Sequence, residues 1–444
     1  VALLIWLGTP FHLRLWGARL KGPRPTEPTM HSSGIEGFKR LLSTNLLCCA
    51  AAMPIVMYHT GLISPAAVLS GVVLVPLITL VLIAGYATVL LGVLVPALSP
   101  GAAGALAALS GWTAWLVRWV DALPWTSVRI PSLSLAWAVF ATMVALYWLA
   151  RGRRRDWAGL GALGAAVAWL AVELWVGPSL PRDVALRIDT LAVGDGTCHL
   201  VRSGREALLW DCGSLSPGVG RMLVPRAVRA LGAGAVPTGV ITHPNLDHFN
   251  GVLDVVEPLS VRTVLIGRAF ADHAAQHPRS PEAYMLGELA RRRVRVRVID
   301  AGERLALGSS RFEFLSPPAD ADWPKDNDMS LVAAVTAGAS RGPSLLLCGD
   351  IQDQALGRLA ERYPSLHPRI MEAPHHGSAR AAAFAFVGGA DPKVVLQSTG
   401  PSRALDPRWE GLRAGRMWLC TATDGACSAQ VRTDGTVHAG PIPR

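Results

Sequence analysis

The chain has 444 residues, of which 51% are apolar and only 17% charged, with a formal charge of +10. That balance is too apolar for a soluble enzyme of this size and indicates membrane segments. Residues 1–178 carry 12 Lys or Arg against 5 Asp or Glu, and residues 179–444 carry 30 against 27, so much of the basic excess sits in the apolar part, where it reports membrane orientation and not nucleic-acid binding.

The chain opens on the apolar run Val1 to Leu7, which lacks a basic region or small-residue cleavage site before it and does not read as a signal peptide. Apolar stretches follow near 41–57, 66–97, 101–120, 133–150 and 158–177. About 20 apolar residues span a bilayer core, so each is a candidate crossing. Leu133 to Ala150 and Ala158 to Gly177 are the clearest, and Val73 to Val95 is long enough to span with tilt despite Pro76. Gly101 to Val120, rich in Ala and Gly and carrying Trp112, Trp115 and Trp119, suits the membrane interface. Arg151, Arg153, Arg154 and Arg155 lie between two good spans, and Arg14, Arg19, Lys21 and Arg24 lie before the first. If both clusters are cytoplasmic, four spans separate them, and everything after about residue 180 lies outside the cytoplasm.

Beyond residue 180 short apolar runs alternate with helical stretches. Ala185 to Leu191, Cys198 to Val201 and Ala207 to Trp210 read as strands, Met222 to Leu231 as a helix, and Thr238 to Thr242 and Val261 to Gly267 as further strands before a helix from Pro281 to Arg292. The sequence thus predicts an α/β domain. Arg291 to Arg297 alternates arginine with valine, so that on a strand Arg293, Arg295 and Arg297 share one face. Such a row can track phosphates, but a solvated face with arginines at a helix C-terminus is the preferred reading. Seven cysteines form no Cys-x-x-Cys pair; Cys420 and Cys427 flank an Asp-Gly turn and can bridge a hairpin in an oxidising compartment. His273, His277 and His367 lie away from every motif and read as surface residues.

Three strand ends carry chemistry. His243-Pro-Asn245-Leu-Asp247-His248 follows the strand at 238–242, Gly349-Asp350 follows Leu345-Leu-Leu-Cys348, and His375-His376-Gly377-Ser378 follows another apolar run. Imidazole nitrogens and carboxylate oxygens hold divalent zinc or manganese while leaving a position for water. Asp350 can lie between two ions, and such a cluster suits hydrolysis.

The order of motifs resembles the metallo-β-lactamase-like domain of the ComEC family, the DNA-internalisation channels of bacterial competence. Val193-Gly194-Asp195-Gly196-Thr197, Asp211-Cys212-Gly213, Asn327-Asp328-Met329-Ser330-Leu331-Val332, Ser398-Thr399-Gly400 and Thr423-Asp424-Gly425-Ala426 are similar to the family's remaining motifs. Asn45-Leu46-Leu47, Pro54 and Gly61-Leu62-Ile63-Ser64 more loosely resemble its membrane domain. The departures are Asn245 where the family usually has a charged or imidazole ligand, Thr197 where it has an acid that Asp195 can replace, and Ala404-Leu405-Asp406-Pro407 in place of a late histidine segment.

The resemblance implies a helical membrane domain, the C-terminal part of a competence domain, over 1–180, followed by an αββα sandwich over 181–444, with further helices and a β domain preceding the chain in the full protein. It implies a multi-pass protein of the bacterial inner or plasma membrane whose partners are DNA, lipid and other competence proteins. One or two Zn2+ or Mn2+ ions are expected on His243, Asn245, Asp247, His248, Asp350 and His375 or His376. Asp247 and Asp350 are the expected catalytic groups, Asp211 and Asn327 lie behind the ligands or against substrate, and Ser378 contacts phosphate. The implied activity is hydrolysis of the strand that is not imported. Hydrolysis of another phosphodiester or ester, and a non-catalytic module of a channel, stay open beside it.

Overall fold

The structure, a computed structural model, describes residues 2–17, 30–123, 126–131, 133–151, 157–176, 179–404 and 406–443. It divides into two compact units, Val1–Trp175 and Val176–Arg444. The clusters Arg19 to Arg24 and Arg153 to Arg155, on which the expected topology rests, lie outside the described residues.

The first unit is helical: α1 (Ala2–Trp16), α2 (Met30–Thr60), α3 (Ala67–Leu94), α4 (Ser99–Asp121), α5 (Leu135–Arg151) and α6 (Trp157–Val176), with a two-residue antiparallel bridge between β1 (Leu62–Ile63) and β2 (Val128–Arg129). Gly34–Thr60, Ala67–Leu94 and Trp157–Trp175 are long and apolar enough to cross a bilayer. The 28 residues of α3 reach about 42 Å, and none of its side chains is buried within the unit. An apolar helix that buries nothing against its own chain is matched to lipid or to further helices, not to water. Leu133 to Ala150 falls short of the expected span. Ser134 caps the helix, its Oγ accepting from Trp137 N at 3.1 Å and its carbonyl from Ala138 N at 3.1 Å, so α5 has 17 residues and about 26 Å of length against a core of about 30 Å. Trp137 Nε1 donates to Ala166 O and Trp148 Nε1 to Gly159 O, tying α5 to α6. A Cβ on Gly71 of α3 would lie 2.2 Å from Asn45 Oδ1 of α2, so a bare glycine permits that close approach.

The strands of the second unit are β3 (Val184–Thr190), β4 (His199–Ser203), β5 (Glu206–Trp210), β6 (Thr238–Ile241), β7 (Thr263–Gly267), β8 (Arg295–Ile299), β9 (Arg304–Leu307), β10 (Ser310–Ser316), β11 (Val332–Thr336), β12 (Leu345–Leu347), β13 (Ile370–Glu372), β14 (Val394–Gln397), β15 (Met417–Cys420), β16 (Cys427–Arg432) and β17 (Val437–Pro441). They form two mixed sheets of order β17-β16-β3-β4-β5-β6-β7-β8 and β15-β14-β13-β12-β11-β10-β9. The short helices include α7 (Val224–Ala230), α8 (Leu246–Phe249), α9 (Val252–Val255), α10 (Arg268–Gln276), α11 (Pro281–Arg291), α12 (Asp353–Arg362) and α13 (Ala381–Ala390).

The period-two alternation of strands explains the layers. Leu208 and Trp210 of β5, with Leu345 and Leu347 of β12, fill the core between the sheets. Leu209 faces the other way, into a core with Val228 of α7, Phe270 of α10 and Leu289 of α11. Leu346 likewise packs with Leu356 of α12 and Val387 of α13. The central strands of each sheet are buried on both faces, which is why they read as continuous apolar runs, and each fully buried Leu contributes about 1.5–3 kcal/mol. The result is an αββα sandwich. Strands β5 to β8 run parallel, as do β12 to β15, so their carboxyl ends gather at sheet edges, where such folds place ligands.

Two expectations change. Arg293 sits in a left-handed turn (φ 58) and β8 begins only at Arg295, so Arg293 does not share a strand face with Arg295 and Arg297. Arg297 pairs with Glu303 and Arg291 with Glu288, as in a solvated surface. Cys420 ends a strand of one sheet and Cys427 begins a strand of the other; both thiols are free and buried. His277 and His367 are exposed, and His273 is half-buried against Glu282.

Candidate metal centre

Four strand ends supply the site. β5 leads into Asp211, β6 into Thr242 and His243, β12 into Cys348-Gly349-Asp350, and β13 into His375 and His376. Asp247 and His248 ride on the single turn α8, which packs so closely on the Asp211-Cys212-Gly213 turn that a Cβ on Gly213 would lie 2.4 Å from His248 N. Only glycine allows that approach.

Hydrogen bonds behind the imidazoles decide which nitrogens face inward. Asp211, fully buried, accepts from Thr242 N at 2.8 Å, from Thr242 Oγ1 at 2.9 Å and from His248 Nδ1 at 2.8 Å. A carboxylate accepts only, so the His248 proton sits on Nδ1 and Nε2 presents a lone pair. Thr242 Oγ1, having given its proton to Asp211, accepts from His243 Nδ1 at 2.9 Å, which leaves His243 Nε2 a lone pair, buried and without a partner. His376 Nδ1 donates to the carbonyl of Ser398 at 2.9 Å, so its Nε2 is a third lone pair. Partners behind the ring that fix the tautomer are the arrangement of histidine metal ligands.

These donors converge. His248 Nε2 lies 3.2 Å from His376 Nε2 and 3.2 Å from Asp350 Oδ1. His376 Nε2 lies 3.3 Å from Asp247 Oδ2 and 3.4 Å from Asp350 Oδ2, and His248 Nε2 lies 3.9 Å from Asp247 Oδ2. A tetrahedral ion with ligands at about 2.0–2.2 Å has donor-to-donor edges of about 3.3–3.6 Å. Asp247, His248 and His376 thus form one donor group of about that size, and Asp350 caps it with one oxygen against each imidazole, a four-residue cage. His243, with its Nε2 at 4.0 Å from Asp350 Oδ2, makes a second group with His248 and Asp350.

The electrostatics agree. Two lone pairs 3.2 Å apart repel unless a cation or a proton lies between them. Burial disfavours charge on His248, yet Asp350 and Asp211 hold it well above the ordinary value for an imidazole. His376 is raised too, against its burial, by Asp350 and Asp247. Asp350 is held well below the carboxylate range: burial opposes this, and His376 and His248 overcome it. His243 is pushed down to about 3 by burial and by the neighbouring His248, so it stays neutral and ready to coordinate. The field that retains protons here is the field that favours a divalent cation.

The other expected residues lie beside the cage. Asn245 Nδ2 donates to Asn327 Oδ1 at 2.7 Å, and Asn327 Nδ2 lies 3.2 Å from His375 Nε2, whose lone pair it occupies. His375 and His376, of which one was expected as a ligand, do not lie on an extended segment. Both adopt left-handed backbone (φ 49 and 55), followed by Gly377 (φ 78), at a cost of about 1–2 kcal/mol per non-glycine residue. The turn brings both rings to Asp350, with His375 Nε2 at 3.7 Å from Asp350 Oδ2. Ser378 closes the turn, its N–H donating to His375 O. Thr197, not Asp195, touches the site, with Oγ1 3.4 Å from His376 Nδ1, whereas Asp195 lies against Gly400. Asp406 is paired with Arg408 and belongs to neither donor group; its neighbour Leu405 lies outside the described residues.

Sequence reasoning missed Glu372 and His199, which form a buried pair under the site with Nε2 to Oε1 at 2.9 Å. Their only signal was a charged residue ending an apolar run.

Residues 1–155 match the family described as Competence protein. The chain is 22% identical over 426 residues to ComE operon protein 3 of Bacillus subtilis (strain 168), an alignment covering 90% of this chain and 52% of that protein. It is 24% identical over 304 residues to the uncharacterized protein YcaI of Escherichia coli (strain K12), covering 64% and 35%. Solved structures similar to it include the metallo-β-lactamase fold protein YhfI of Bacillus subtilis, at 12% identity and a TM-score of 0.36 over 57% of this chain and 100% of that one. A diphosphatase of the PhnP family gives 14% identity and a TM-score of 0.34 over 52% and 94%. The chain spans about half the length of the first curated relative and about a third of the second. The first 155 residues thus match a competence-protein family, and the sequence is similar to ComE operon protein 3 over 90% of its length.

Proposed function

We propose that this chain is a membrane component of DNA uptake in natural transformation and that its second unit hydrolyses the strand that is not imported. The observation that carries the chemistry is the pair of overlapping donor groups, Asp247-His248-His376 and His243-His248-Asp350, with three imidazole lone pairs aimed inward and no partner for His243 Nε2. The family match carries the DNA.

A divalent ion, Zn2+ or Mn2+, would supply Lewis-acid polarisation of a phosphoryl oxygen and a water acidic enough to attack near neutral pH. The chain's residues do the rest. His248, His376 and Asp350 are the proposed ligands of one ion, with the fourth position left for water and Asp247 facing it; His243 begins a second position with His248 and Asp350. Asp247 is the carboxylate of the group that reaches solvent, its side chain 23% exposed against 4% for Asp350, and is the residue that would accept a proton from a water held at the open position. Asp350 balances the charge of the ion, Asp211 holds the His248 tautomer, and Asn327 steadies Asn245 and His375 at the rim. Ser378, half-buried beyond the histidine turn, contacts a substrate phosphate. In the membrane, α2, α3 and α6 cross, α5 adds a short crossing, and α4 supplies the fourth crossing between the two basic clusters that places the second unit outside the cytoplasm.

The test is degradation of single- and double-stranded DNA by the full chain in detergent with added Mn2+ or Zn2+, beside Asp247→Ala. Metal-dependent cleavage lost in the variant supports the reading; absence of cleavage with no bound metal replaces it with a non-catalytic channel module, the reading that Asn245 favours. Cleavage of a small phosphodiester but not of DNA replaces the substrate.

A further inference from the structure

We propose that Glu372 and His199 are positioning residues of the metal centre, Glu372 aiming Asp350 through the backbone and His199 clamping Glu372 from the opposite sheet. This rests on the metal-site reading above. Glu372 is the last residue of β13, four positions before His376, so it belongs to the segment that delivers one proposed ligand. Its Oε2 accepts from the N–H groups of Cys348 at 2.8 Å and Gly349 at 3.0 Å, the two residues before Asp350. The carbonyl of Gly349 in turn accepts from His375 N at 3.0 Å. One carboxylate therefore fixes the spacing of the two strand ends that carry Asp350 and His376.

The other oxygen reaches across the sandwich. His199 stands on β4 of the first sheet, and its Nε2 bonds Glu372 Oε1 while Nδ1 lies 2.9 Å from Thr190 Oγ1. Thr190, His199 and Glu372 are all buried. The first sheet also carries Asp211, His243 and His248, so this pair ties the two halves of the cage together beneath its floor. Burial opposes a charge on Glu372, but His199 and the two N–H groups keep it below the ordinary carboxylate range. A glutamine has the same shape, its oxygen can accept from both N–H groups, and its amide can donate to His199 Nε2 once that imidazole carries its proton on Nδ1 toward Thr190.

The experiment compares the full chain in detergent with Glu372→Ala, Glu372→Gln, His199→Gln and His376→Ala, by calorimetric titration of Mn2+ and by the visible absorption of bound Co2+. His376→Ala is the control that loses the ion. Glu372→Gln, which can keep the three bonds, is the conservative variant and should bind Mn2+ within a few-fold of wild type; in Glu372→Ala, which loses them, we expect Mn2+ affinity to fall 10–100-fold, the range for partners that orient ligands, with an altered Co2+ spectrum. Should Glu372→Ala not fold, His199→Gln is read in its place, with a loss in the same direction. Wild-type affinity and spectrum in folded Glu372→Ala or, failing that, His199→Gln overturn the positioning role and leave the metal reading standing. No binding by the wild-type chain overturns both.

Discussion

Asp211→Asn exchanges one atom at a fully buried position and inverts the logic of the site. The carboxylate receives three donors, Thr242 N, Thr242 Oγ1 and His248 Nδ1, all within 2.9 Å. An amide cannot accept from all of them. If its oxygen keeps Thr242 N, its NH2 faces His248 Nδ1, and the imidazole must move its proton to Nε2, which then points a proton into the cage. If its oxygen keeps His248, its NH2 faces the Thr242 N–H, leaving buried donors opposed at about 1–3 kcal/mol. Either choice weakens a ligand. Loss of a partner behind a metal ligand costs about 10–100-fold in affinity, or about 1.4–2.8 kcal/mol at about 1.4 per decade. The apo protein should suffer less, because Asp211 is itself penalised by burial, which raises its pKa despite His248. Titration of Mn2+ into the full chain, with thermal unfolding in chelator alongside, reads both quantities. Wild-type Mn2+ affinity in Asp211→Asn would refute the tautomer argument.

Other expectations follow from the same geometry. His376→Ala should abolish measurable Mn2+ binding, whereas His375→Ala, whose Nε2 is taken by Asn327, should lose only a few-fold; equal losses would contradict the division of roles. His248 and His376 are raised from 6.5 in the folded protein, so in chelator their stabilisation is complete below pH 6.5 and is lost as pH rises through the folded values; His243, lowered to about 3, is neutral in both states above 6.5 and does not mask this. The melting temperature in EDTA should therefore fall with rising pH above neutrality, while the increment from Mn2+ grows as protons cease to compete; parallel curves with and without metal would count against the cage. Gly71→Ala puts a Cβ 2.2 Å from Asn45 Oδ1 and should destabilise the helical unit by about 1–3 kcal/mol. Adding Asn45→Ala should recover most of that loss in detergent unfolding, and failure to recover would mean that the two helices do not meet there.

Much of the second unit was legible because strand pattern and ligand chemistry coincide. Leu345 to Leu347 reads as a strand buried on both faces, and the residues beyond it must then lie at a sheet edge, where Asp350 is found. The Asp211 and His243 segments were legible for the same reason. What escaped depended on backbone angle or on contacts distant in sequence. Nothing local announces that His375 and His376 both turn left-handed, so their directions could not be assigned. Arg293 looked like part of a strand because alternation with valine continues through a turn. Glu372 and His199 are 173 residues apart and looked like strand-end residues until the second sheet brought them together. In the first unit apolar length located the helices, but the start of α5 was set by Ser134, a cap that hydropathy does not register.

The central claim is that His248, His376 and Asp350, beside Asp247, hold a divalent ion between the ends of the two sheets. Anomalous diffraction at the manganese edge from crystals of the chain grown with Mn2+ tests it most directly. The account requires an anomalous peak within about 2.0–2.2 Å of His248 Nε2 and His376 Nε2. A peak held instead by His375 and the Asn245 amide, or none in the second unit at saturating Mn2+, would contradict it.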